Sequence, residues 1–286
     1  MKTTVSALCL LLVLWVAAAQ SVRKTAVPAP PRQSQPETWL GFDRNQYPGD
    51  SQLAPLRKTF AFTSYWLNNP PGAKFNTWKG KRVAVESAGF GFLVLFNGRL
   101  ATELAKHNAA QLGKHDGSSA AQLARDEGFP KRTIIFLDME EGGRLIPAQR
   151  AYLHSWTDAV NAAGYRAGVY CSGIPFKEGD GTIIVTADDI RNNAQGRDIT
   201  FWVATDQCPP SPGCTIPVTI PKPSESGIPF AAVWQYAQSP RRPQYTAACQ
   251  QTYDTDRNCY APGLTKHIHI DLNTALSPDP SHGRTQ

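Results

Sequence analysis

TIIFLDMEEG, residues Thr133–Gly142, opens as a β-branched and aromatic run and turns acidic without a break. The first half has the composition of a buried strand. Alternate residues of a strand share a face, about 6.5–7 Å apart. Ile134, Phe136, Asp138 and Glu140 therefore point one way, and Ile135, Leu137 and Met139 the other. One face begins apolar and ends in two carboxylates; the other stays apolar, as if covered by helices. A strand of a parallel α/β barrel has this form where it delivers acids to the C-terminal rim. An edge strand running into a solvated turn is the competing reading, and the apolar opposite face argues against it.

Seven further runs read as strands: Thr38–Asn45, Thr59–Leu67, Gly89–Asn97, Arg166–Ser172, Thr200–Asp206, Ala231–Ala237 and His267–Asn273. Helical patterns lie between the early ones. Pro147–Ala163 is the clearest, with Pro147 suited to a first turn, the stripe Leu153, Trp156, Val160, Ala163, and Gly164 as C-cap. Lys81–Ala88, Ser118–Glu127 and Thr186–Asn193 are shorter candidates. No helical pattern separates the last three strands. Eight strands with helices concentrated early predict an irregular TIM-type (β/α) barrel of α/β class, and the length after Thr38 suits one such barrel.

Residues 1–20 carry one charge, Lys2, and the apolar run Leu8–Ala18, which is too short for a comfortable membrane span. They read as a secretory signal peptide. Residues 21–37, rich in Pro, Gln and Ser, read as a disordered tether; 38–276 form the barrel domain, and 277–286 a flexible tail. The expected location is therefore secreted, periplasmic or cell-wall associated, without stable membrane insertion after cleavage. A formal net charge of +6 over 286 residues is mild, and no Lys/Arg stripe with interleaved aromatics argues for nucleic acid. Cys208 and Cys214 flank a Pro/Gly turn, and Cys249 and Cys259 a polar loop; in an exported chain they read as two local disulfides. Their spacing does not match a zinc site. Cys171 is left as a small buried residue.

Three strands end in acids: Asp43 on the first, Asp138 and Glu140 on the fourth, Asp271 on the eighth. In a closed barrel these surround one mouth. Glycoside hydrolysis needs such a set: one carboxylic acid held protonated for the leaving oxygen, and a second carboxylate for the oxocarbenium-like centre. Tyr65, Trp66, Tyr170, Trp202, Trp234 and Tyr236 lie near the same ends, as either sugar-stacking or packing residues; Asp206 is a further candidate with an equal structural reading. No G-x-S-x-G elbow, G-x-G-x-x-G or P-loop occurs, so neither serine hydrolysis nor a nucleotide cofactor is implied.

Asp43 in GFD, Asp138-Met139-Glu140 after a β-run, Trp234-Gln235-Tyr236, and Ile270-Asp271-Leu272-Asn273 occur in the order found in glycoside hydrolase family 25 muramidases. The chain resembles still more a secreted branch of bacterial glycoside hydrolase-like barrels (domain of unknown function 1906). The resemblance spans nearly all of Thr38–Ala275. It implies a modified eight-stranded barrel with fewer helices after strand five, and cleavage of the β-1,4 bond after N-acetylmuramic acid in peptidoglycan or of a related cell-wall glycan. A monomer without cofactor or metal is the accompanying expectation. Glu140 would be the general acid, with Asp138 at the reacting centre or the N-acetyl group and Asp43 and Asp271 positioning both. Glu141 adds a third acid that departs from the pattern. A non-catalytic barrel that binds cell-wall glycan stays open as the alternative. A substrate-assisted chitinase-like barrel would call for an acid at 136, where Phe136 stands.

Overall fold

The structure, a computed structural model, describes residues 37–205, 219–238, 268 and 270–285. The signal segment, most of the tether, Asp206 and the four paired-cysteine candidates lie outside the described residues. Eight strands close into a barrel in the order β1-β10-β9-β8-β5-β4-β3-β2. They are β1 (Trp39–Asp43), β2 (Phe62–Trp66), β3 (Gly91–Asn97), β4 (Ile134–Met139), β5 (Arg166–Ser172), β8 (Thr200–Ala204), β9 (Ala231–Ala237) and β10 (Asp271–Ala275). A small hairpin, β6 (Phe176–Lys177) with β7 (Ile183–Ile184), follows β5. Among the described residues six α-helices surround the barrel: α1 (Asp50–Arg57), α2 (Arg82–Ser87), α3 (Ala101–Leu104), α4 (Ala109–Asp126), α5 (Pro147–Ala162) and α6 (Thr186–Asn192). None of the described helices is long and apolar enough to cross a membrane.

All neighbouring barrel strands are parallel except β10, which runs antiparallel to β1 and to β9. This corrects the sequence reading of the eighth strand. Asp271 does not end a parallel strand; it opens a reversed one, paired directly with Asp43. The two differences cancel, and Asp271 still reaches the rim where β1 ends. Strand four is nearly as read, all six residues buried, with Glu140 one residue past its end.

Helix α4 begins nine residues before the sequence pattern suggested. Asn108 caps it, its side chain accepting from the Gln111 N–H at 3.1 Å. Gly113 disguises this first half, because glycine weakens a helix intrinsically. Here the glycine is needed: a Cβ at Gly113 would lie 2.2 Å from the Tyr152 carbonyl oxygen of α5. Inside the barrel the same logic holds at Gly168, whose Cβ would sit 2.5 Å from the Phe136 ring. The absent side chain makes room for Phe136, which packs edge-on to Trp202 at 5.8 Å.

Residues 277–285 are not the loose tail expected from their Pro, Asp and Gly content. They close the barrel end opposite the acids. The Ile134 N–H donates to the Ser281 carbonyl at 2.8 Å, and the Ser281 N–H donates to the Phe92 carbonyl at 2.8 Å. The Val94 N–H donates to Ser281 Oγ, and the Phe92 N–H to Asp279 Oδ1, both at 2.8 Å. Ser281 is fully buried. Ser281→Ala leaves the Val94 N–H buried without a partner, which costs about 1–3 kcal/mol. A lowered urea midpoint at unchanged slope is the expected result; an unchanged midpoint would mean the tail is not coupled to the core.

Candidate active site

The C-terminal ends of β1, β4 and β5 and the start of β10 surround a cleft of about 480 Å³, lined by Asp43, Asp138, Glu140 and Asp271 among others. All four acids named from the sequence therefore share one cavity. Asp43 lies at its base, buried, with one oxygen held by two amides: Gln235 Nε2 donates at 2.9 Å and Asn273 Nδ2 at 2.6 Å. Each amide is fixed from behind. Tyr170 Oη donates to Gln235 Oε1 at 2.8 Å, and Trp202 Nε1 donates to Asn273 Oδ1 at 2.9 Å. One network thus links β1, β5, β8, β9 and β10.

Asp138 is buried, and its Oδ1 has no hydrogen-bond partner. Glu140 stands at the mouth. Solvent reaches it, yet the walls of the cleft surround its carboxyl closely enough to desolvate it and raise its pKa above the ordinary value. Burial raises Asp138 well above the ordinary range, and the neighbouring charges of Glu140 and Asp43 add to this. Asp43 is pushed up to about 6 by burial, against the pull of its hydrogen bonds from Asn273 and Gln235. Burial and mutual repulsion therefore make these carboxyls keep their protons to higher pH than ordinary carboxylates do, the direction that general acid chemistry requires.

Tyr170, Trp202 and Gln235 line the cleft as the sequence suggested. Trp202 is only 1% exposed and Tyr170 8%, so they floor the cavity and offer no open stacking face. Trp66 lines it too, and the remaining aromatic candidates, Tyr65, Trp234 and Tyr236, lie elsewhere. Tyr65 packs against Trp78, Phe92 and Phe129 in the layer outside the sheet, and its hydroxyl donates to Glu127. Its neighbour Trp66 is the residue of β2 that faces the cleft. Trp234 and Tyr236 flank Gln235 and so face away from the barrel axis; the Trp234 indole donates to Thr205 Oγ1 at 2.6 Å. Glu141 points off the site. It accepts from the Ala101 N–H and from Gln149 Nε2, both at 2.8 Å, tying α3 to α5. Cys171 is buried and reduced, with its thiol pKa pushed up by burial. Arg44 and Gln238 line the cleft and went unread in the sequence; the signal for Arg44 was its place directly after Asp43.

A closed barrel with four acids gathered at one rim is the arrangement that glycoside hydrolysis calls for. Residues 75–207 match the family described as Rv2525c-like, glycoside hydrolase-like domain, as the ordered motifs implied. Among solved structures, an uncharacterized B. stearothermophilus protein is similar at 18% identity and TM-score 0.55, covering 83% of this chain and 95% of that one. The Mycobacterium tuberculosis Tat-secreted protein Rv2525c, in complex with L-tartrate, is similar at 14% identity and TM-score 0.51, covering 85% and 97%. The Clostridium perfringens spore cortex lytic enzyme SleM is similar at 15% identity and TM-score 0.50, covering 86% and 70%. At these identities the likeness is one of fold. No curated protein matches the chain.

The raised carboxyls fix the sign of a pH dependence. A carboxyl whose pKa is higher in the folded state stabilises fully below its unfolded value and loses that contribution as pH rises through the folded value. For Asp43 the window runs from the ordinary 3.8 to about 6. Asp43→Asn, neutral at every pH and still able to accept from both amides, is expected to be more stable than wild type at neutral pH by on the order of 2 kcal/mol. The gain should shrink toward zero by about pH 4. Urea unfolding at both pH values measures it; a variant less stable at neutral pH would show that Asp43 is stabilised by its charge.

Proposed function

We propose that this chain is a secreted glycosidase acting on cell-wall glycan, by muramidase-like carboxylate chemistry. The observation that carries the reading is the convergence of Asp43, Asp138, Glu140 and Asp271 on one cleft, with one Asp138 oxygen buried there without a hydrogen-bond partner. The family match and the fold likeness to a spore cortex lytic enzyme support the substrate class.

In this reading a sugar chain lies across the mouth, where Glu140 reaches the glycosidic oxygen and Asp138 lies beneath the anomeric carbon. The bound glycan strips water from Glu140 and keeps it protonated until it donates to the leaving oxygen. Without substrate Asp138 holds its proton the more strongly. Positive charge growing at the anomeric carbon reverses that preference, because an ionised Asp138 beside an oxocarbenium-like centre is stabilised. The amide pair holds Asp43 at a fixed place beside both, and Asp271 faces it across the β1–β10 pair.

Glu140→Gln keeps the shape and removes the acid. Release of reducing ends from purified peptidoglycan should fall by about 10²–10⁴. Glu141→Gln, on the α3–α5 tie, should leave that rate near wild type. Equal rates for wild type and Glu140→Gln would remove Glu140 from the chemistry; a wild type that binds wall glycan without cutting it would make the barrel a binding module.

Export carries a covalent consequence. The leader-like residues 1–20 and the two short cysteine-bounded loops support an oxidised chain with Cys208 joined to Cys214 and Cys249 to Cys259. Peptide mass mapping of the unreduced protein should find these two bridges and a single thiol at Cys171. A bridge to Cys171 would overturn the assignment.

A further inference from the structure

Arg44 is the cation among the residues that line the acid cleft. Its main chain is fixed on both sides: the N–H donates to Ser64 Oγ at 3.1 Å, and the carbonyl accepts from Trp66 Nε1 at 3.2 Å and from Ser64 Oγ at 3.3 Å. Its side chain is not. Nε is buried without a hydrogen-bond partner, and the guanidinium enters none of the ion pairs among the described residues. Other partly buried arginines of the chain each engage a carboxylate through the guanidinium, even Arg82 and Arg150, whose Nε is likewise buried without a partner. Arg99 grips Asp116 with two hydrogen bonds, Arg197 grips Asp158 likewise, Arg150 pairs with Asp189, and Arg82 pairs with Glu86 and donates to the Gly283 carbonyl.

An internal counter-ion for the acid cluster would form an ion pair with one of its members, and Arg44 forms none among the described residues. Burial lowers its pKa, and the attraction of Asp271 only opposes this. A desolvated guanidinium presents a planar fork of donors that matches a carboxylate in two parallel hydrogen bonds. No carboxylate of the described residues fills that role, and the fork borders the cleft in which a ligand would lie.

We propose that Arg44 recognises a carboxylate carried by the sugar over the acid pair, so that the cleft selects an acidic glycan. The inference rests on the glycan-cleft reading above and narrows its substrate. Two sugar types carry such a group: a muramic acid whose lactyl carboxyl is free of a stem peptide, and a hexuronic acid. Where a stem peptide is attached, the lactyl carboxyl is an amide and has no charge to offer. On the muramic acid branch, a reaction of the amidase class, which hydrolyses that amide to a carboxylate and an amine, must act before this one.

The test measures binding by calorimetry with the full chain carrying Glu140→Gln, so that the probes survive. Four tetrasaccharides are used: peptide-free N-acetylglucosaminyl-muramic acid, the same compound with its carboxyls reduced to alcohols, neutral chitotetraose, and a hyaluronan fragment. The acid form should bind at least about tenfold more tightly than its reduced form, the usual value of a hydrogen-bonded charge pair. Adding Arg44→Gln should abolish that preference and leave chitotetraose affinity unchanged, while Arg44→Lys retains part of it. Tightest binding of hyaluronan would assign the uronic acid, and of the muramic compound the lactyl group. Equal affinity for acid and reduced forms, or a preference that survives Arg44→Gln, overturns the proposal, and the first comparison needs no Arg44 variant to fold. Failure to bind any of the four overturns the glycan reading together with it. A preference for the acid form in a wild type that cuts nothing overturns only the catalytic reading.

Discussion

One oxygen of Asp43 accepts from two amides, and the barrel mouth is organised by that contact. A carboxylate buried at the base of a cleft costs free energy unless donors meet it. Gln235 and Asn273 supply them from neighbouring strands. The amides in turn need acceptors satisfied and rotamers fixed, and Tyr170 and Trp202 do this from two more strands. The floor of the cleft is thus a closed polar chain with aromatic walls. It fixes where strands β1, β9 and β10 end relative to one another, and with them the distance from Asp43 to the β4 acids.

The remaining acids are less well served. Asp138 keeps an oxygen without a donor, and Glu140 leans into the cleft past the end of its strand. The protein thereby holds raised carboxyl pKa values at one end of the barrel. At the other end the contacts have the opposite character. Ser281 and Asp279 satisfy the main chain of β3 and β4 with short, buried hydrogen bonds. The raised carboxyls and the stabilising main-chain contacts thus lie on opposite faces of the barrel, the division of faces usual in α/β barrels.

The acids were legible because strand periodicity and charge coincide. An apolar alternation that turns into Asp138 and Glu140 has few structural explanations, and Asp43 follows the same pattern on β1. The aromatics were less legible because an aromatic residue serves either face of a strand. Tyr65 and Trp66 are neighbours, and only the register of β2 decides which enters the cleft. On β9 the alternation alone held the answer, since Gln235 facing inward turns Trp234 and Tyr236 outward. The direction of β10 was hidden, because an isolated strand reads the same in both senses. Arg44 is hard to read in the sequence because a single charge after a strand looks like any solvated side chain until the cleft is seen beside it.

The reversed strand β10 sits between the first strand of the sheet and β9, and its Asn273 bonds a residue 230 positions earlier. The cylinder therefore has no continuous seam while the intervening chain is being made. Until β10 arrives, β1 and β9 present open strand edges, the kind of surface that invites pairing between molecules. The Asp43 carboxyl also waits, hydrated and with an ordinary acidity, because the burial that raises it is completed by β10, paired directly against it. Closure of the seam and the perturbation of the acid are then a single event: the carboxyl takes on its raised pKa at the same moment that the open strand edges disappear.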